Sequence, residues 1–202
     1  MPVSCLFINR SLILIQLSLI LLCTGSVVRG QESTDILWLN IETKHTIIRY
    51  QSERDLEKFN SEIKYRVESW GLRDFFSSKG PVDLGETVSN KVDALFERVQ
   101  QILDMRKKIK ILNIQIYHDK EQFEKAYESI YEESCRVRAW YEYKFNTVYI
   151  NLNDIHENML AHEMAHCVID HYLLIRPPMA TAEILARYVD SHLKNGDYNN
   201  LQ

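Results

Sequence analysis

Apolar residues at Val88, Val92, Leu95, Val99 and Ile102 step by 4, 3, 4 and 3, which lays one apolar stripe along a helix. The period then falls to two. Leu112, Ile114 and Ile116 alternate with Asn113, Gln115 and Tyr117, the signature of a strand with one buried face. Upstream, "DILWLNIETKHTIIRYQS" (Asp35 to Ser52) reads as two short strands around a polar turn near Thr43 and Lys44. Leu56, Phe59, Ile63 and Val67 follow at helical spacing. Residues 71–86, with Gly71, Gly80, Gly85 and Pro81, read as an internal linker.

Residues 120–133 are again helical, through Phe123, Tyr127 and Ile130. "RAWYEYKF" and "TVYINL" are two alternating segments that meet at Asn146, which predicts a hairpin. A helix is expected next over "MLAHEMAHCVIDHYL" (Met159 to Leu173), with Asp154 and Glu157 at cap and N3 spacing before it. Pro177 and Pro178 end that helix, and "MATAEILARYVDSHL" starts another with proline at its opening position. Strands, hairpins and helices intermix, so the expected class is α+β, with a small mixed sheet packed on helices.

The first thirty residues stand apart. They hold no acid, a basic Arg10, the apolar run "SLILIQLSLILLC" from Ser11 to Cys23, and then small residues. That order is a secretory signal over residues 1–30, with an uncleaved anchor as the alternative. Residues 31–202 then form a single domain outside the cytoplasm, periplasmic or secreted, with 31–70 a hairpin and helix extension of it. Losing Arg10 and Arg29 from 24 basic and 28 acidic residues leaves a net charge of −6. The charges read as mixed along the chain with no basic tract, which argues against nucleic acid as a partner. Cys135 and Cys167 remain in an oxidising compartment, where a disulfide between them competes with two buried thiols.

One stretch does not fit a plain buried helix. His162-Glu163-Met164-Ala165-His166 is an HExxH sequence. Residues four apart share a helix face, so both imidazoles can reach one ion, and zinc accepts such nitrogen ligands in a tetrahedral shell. Glu163 projects beside the ion, where it can deprotonate a metal-activated water. Two satisfied core histidines are the bland alternative.

For a third ligand, His171 lies about 140° round the helix from His166, and Asp170 lies a full turn beyond the ion. Asp170 fits better as an acid orienting a ligand, or as a solvated helix end. Glu183, one turn into the return helix, fits the ligand role, and Ala180, Ala182 and Ala186 would let that helix approach closely. Cys167, rotated about 100° from its neighbour His166, is badly placed to close a structural zinc site.

At these residues the chain resembles the gluzincin metallopeptidases, and within them the small peptidase-MA-like domains. The resemblance runs roughly from Thr43 to Leu193, through "KHTIIRY", "IQIYHDKEQF", "NTVYINL", "LAHEMAH" and "PPMATAEILARYV". It implies a zincin-like fold, one zinc held by His162, His166 and Glu183, and Glu163 as general base in peptide hydrolysis. It also implies that the strand holding Val148, Ile150 and Leu152 is the edge that pairs with a peptide or protein substrate. Tyr188, Tyr172 and His192 are candidates to stabilise the oxyanion. A catalytically weak or inactive domain that binds a partner through the same groove is the competing reading. In one respect the chain departs from the pattern. Arg187 stands where many members carry an acid supporting a zinc histidine; Asp190 or Asp170 is expected to replace it, with a water or a backbone carbonyl as the alternative acceptor.

Overall fold

The computed structural model describes residues 37–65 and 83–193. The expected signal segment, Val67 and most of the expected linker lie outside them. Contacts divide the chain after Asp35, and every core residue below belongs to Ile36–Gln202.

Five strands form one mixed sheet: β1 (Leu39–Glu42), β2 (Thr46–Tyr50), β3 (Leu112–Tyr117), β4 (Ala139–Glu142) and β5 (Thr147–Asn151). Their order is β1-β2-β3-β5-β4. β2, β3 and β5 run parallel, and the antiparallel strands β1 and β4 are the two edges. The strand with Val148 and Ile150 is therefore interior, which corrects the expectation that it is an edge. Alternation in one strand gives its pairing faces but not its place in the sheet. Leu152 lies just beyond β5, buried, and its N–H bonds to the Tyr117 carbonyl at 3.0 Å.

Helices cover both faces. α1 (Glu53–Glu62), α2 (Leu84–Ile102), α4 (Glu157–Tyr172) and α5 (Met179–His192) bury one face of the sheet, including Ile48, Leu112, Ile114, Ile116, Val148 and Ile150. α3 (Lys120–Tyr131) lies on the other, where Phe123 packs with Tyr117, Trp140 and Tyr149. Alternation predicts a single buried face for β3. Tyr117 is buried too, because α3 covers the side that alternation alone assigns to solvent.

The helix starts follow capping chemistry. Side chains of Ser52, Asp83 and Asp119 accept the N–H of Asp55, Glu86 and Gln122, satisfying donors that a first turn leaves free. Residues 84–86, expected in the linker, are already the first turn of α2. α4 is capped by His156, whose Nδ1 accepts the Met159 N–H at 3.2 Å, and not by Asp154. Asp154 instead accepts from Asn151 Nδ2 at 2.6 Å in the preceding turn. α4 ends at Tyr172, ahead of the prolines, and Pro178 precedes α5 as its cap residue. No helix among the described residues is long and apolar enough to cross a membrane.

Candidate metal centre

α4 runs through the molecule with little solvent on most sides. Leu160, Ala161, Met164, Ala165, Cys167, Val168 and Ile169 are all fully buried, so the polar side chains between them need partners. α5 packs along α4 with Ala182 and Ala186 buried, whereas Ala180 is exposed. Small residues at that contact let the two backbones approach, and this brings Glu183 to the histidines.

His162 Nε2 and His166 Nε2 lie 3.3 Å apart. Glu183 Oε2 stands 3.5 Å from the first and 3.7 Å from the second. Of the described side chains, these form the group of three able to hold one metal ion. The other ring nitrogen of His162 faces Asp190 Oδ2 at 3.0 Å. A carboxylate has no proton to give, so Nδ1–H donates, and this bond turns Nε2 toward the shared point. Burial, reinforced by neighbouring His162, pulls the His166 pKa down against the nearby acids. Burial works to raise Glu183, but its bond from Arg187 and the two imidazoles outweigh it and hold the carboxyl below its usual range. Two imidazole nitrogens and a carboxyl oxygen therefore converge on one point, 3.3–3.7 Å from one another. That donor set fits zinc.

Arg187 takes an unexpected place. Its Nε donates to Glu183 Oε1 at 2.8 Å, so it steadies the third ligand itself, leaving Oε2 turned to the histidines. Asp170 bonds to neither His162 nor His166. It is buried and accepts from Arg176 at 2.8 Å, which ties the end of α4 to the following loop.

Glu163 sits beside the triad and accepts a hydrogen bond from the Tyr141 backbone N–H. Burial pushes its carboxyl up to about 7; His162 and the Tyr141 N–H oppose this, and Glu183 and Asp190 add to it. A cation at the triad would act in the opposite direction, toward the carboxylate. The three side chains and Glu163 line a cleft of about 690 Å³. Arg176, Pro177 and Met179 form one wall. The other crosses the edge strand β4 to Tyr127, Tyr131 and Trp140.

Tyr188, Tyr172 and His192 do not line this cleft; Tyr188 stacks on His192 at 3.9 Å between ring centres. Cys135 and Cys167 are free and not joined. Cys167 is buried with its Sγ 3.5 Å from Asn146 Oδ1, and burial pushes its thiol up to about 12, which leaves it unreactive.

Sequence reasoning missed Asn146 as a hub. Its backbone is left-handed at φ 46, its Oδ1 accepts from Tyr141 at 3.1 Å and His171 at 2.9 Å, and its Nδ2 donates to the Ile111 carbonyl at 2.8 Å. An asparagine at a hairpin corner was the available signal. The aromatic wall gave only the alternation of "RAWYEYKF", which sets Trp140 and Tyr141 on opposite faces. No family model, curated protein or solved structure matches the chain.

Proposed function

We propose that this protein is an exported zinc metallopeptidase of the gluzincin kind, built on a zincin-like domain, in which Glu163 is the general base. The observation that carries the reading is the convergence of His162 Nε2, His166 Nε2 and Glu183 Oε2 at 3.3–3.7 Å, with Glu163 beside them in an open cleft. A zinc ion held there would polarise a peptide carbonyl and acidify a water.

The chain's own residues supply the rest. Glu163 takes the proton from the attacking water and returns it to the departing amine nitrogen. Asp190 holds His162 through Nδ1, and Arg187 holds Glu183 through Oε1, so neither ligand has to reorganise. The free edge of β4, next to the cleft, offers backbone groups to an extended peptide lying between the two walls. An acid at position 163 favours catalysis over a closed structural site, which requires ligands and no base.

A digest of a broad peptide library tests the reading. The zinc-loaded protein should cleave, and Glu163→Gln should keep its zinc while losing about 10²–10⁴-fold in rate, the usual range for a general base. Equal cleavage by the two proteins would remove Glu163 from the mechanism.

A further inference from the structure

Three loops meet at the end of the molecule where α4 terminates. They are residues 103–111 between α2 and β3, the Tyr143–Phe145 turn between β4 and β5, and residues 173–178 between α4 and α5. Their contacts are specific. Lys107 Nζ donates to the His171 carbonyl at 3.4 Å, and Asn146 Nδ2 donates to the Ile111 carbonyl. The Tyr143 ring lies 5.6 Å from that of His171 and carries the Arg176 guanidinium 4.3 Å from its centre.

The expectation of mixed charge with no basic tract is corrected here: Arg106, Lys107, Lys108 and Lys110 form a short basic tract in residues 103–111, and folding brings Lys144 and Arg176 to the same end of the molecule. Arg106, Lys107, Lys108, Lys110, Lys144 and Arg176 are all exposed on these loops, and Asp104 is the one acid within them. The chain as a whole carries −4, so this is a local reversal of sign. Burial lowers the His171 pKa, and the nearby Lys110, Lys107 and Arg176 lower it further against Asp170, so the cations share one neighbourhood.

Set among the cations are side chains that folding has left outside. Leu174 is 100% exposed and Ile175 84%, with Tyr143 and Phe145 above 40%. Leucine and isoleucine at such exposure project from the surface with nothing to shield them. Aromatic rings beside lysine and arginine, with aliphatic tips between, are the composition of proteins that rest in the headgroup region of a bilayer.

We propose that this face docks on an anionic membrane surface, with Leu174 and Ile175 entering the headgroup and acyl boundary while Arg106 and the four lysines meet lipid phosphates and carboxylates. A protein partner would need a cavity shaped for two protruding tips; a fluid bilayer accepts them wherever it meets them. Arg176 and Pro177 also line the cleft, so docking holds the cleft mouth next to the membrane. Neither zinc nor hydrolysis is needed for this docking.

The test uses a chain from Ile36 to Gln202, which keeps every core residue among the described ones and removes the apolar run from Ser11 to Cys23, which could itself partition into a bilayer. It is sedimented with phosphatidylcholine vesicles, with or without about 30% phosphatidylserine. The chain should pellet with the anionic vesicles, be released by high salt, and stay in solution with the neutral ones. The triple variant Lys107→Glu, Lys108→Glu, Lys110→Glu should lose at least about 100-fold in partitioning, since each lost cation near an anionic surface is worth about fivefold and each added carboxylate is repelled. Leu174→Ser with Ile175→Ser should lose at least about tenfold. Both positions lie outside the core, so this pair still tests the face if the triple variant misfolds. Failure to bind anionic vesicles, equal binding to neutral ones, or unchanged binding in the serine variant overturns the proposal. Capture by polyglutamate with no vesicle binding overturns it in favour of an acidic protein partner.

Discussion

Which side chain turns His162 decides how tightly the proposed zinc would be held. His162 donates through Nδ1 to Asp190 at 3.0 Å, whereas the other candidate acid, Asp170, is engaged by Arg176. Asp190→Asn should therefore weaken zinc binding about 10–100-fold in a competitive chelator titration, with the melting profile of the zinc-loaded fold preserved. Asp170→Asn should leave zinc affinity in place. The reverse pattern would transfer the role to Asp170. At this scale much was legible from sequence. HExxH spacing selects His162, Glu163 and His166 because helical period is local, and Glu183 and Asp190 lie seven apart on one face of the next helix. The partner of Arg187 was not legible, since whether it faces the ligand or the cleft rim depends on how α5 rolls on α4.

Among the elements, the hairpin before α4 holds the most information per residue. Asn146 combines a left-handed backbone with five side-chain hydrogen bonds, at 4% exposure, linking β4, the β3 entrance and the second half of α4. Asn146→Ala strains the backbone and leaves Tyr141, His171 and the Ile111 carbonyl short of partners. A loss of about 2–4 kcal/mol in urea unfolding is expected. A loss below about 0.5 kcal/mol would show that the hub is incidental. Periodicity locates nearly every described element, yet it cannot order the strands. The family resemblance implied that β5 is an edge, and periodicity could not correct it because nothing local says that β4 folds outside it. The start of α4 is misplaced where histidine, and not aspartate, supplies the cap, and the Cys135–Cys167 pairing fails because Cys167 points into the core toward Asn146.

On the scale of the whole molecule, the proposed zinc would join α4 to α5 and so couple metal binding to folding. A ligand that binds only the native state, present at about 1,000 times its Kd, adds about 4 kcal/mol. For a domain of this size that corresponds to a fall in Tm on the order of 10 °C when a chelator removes the ion. An unchanged Tm would mean that the triad is not bridged. Everything proposed for the cleft rests on one ion held by three side chains from two helices. Metal analysis of the purified protein and of His162→Ala and Glu183→Ala tests that most directly: one zinc per chain is expected in the wild type and its loss in both variants, whereas full zinc content in both would contradict the assigned centre.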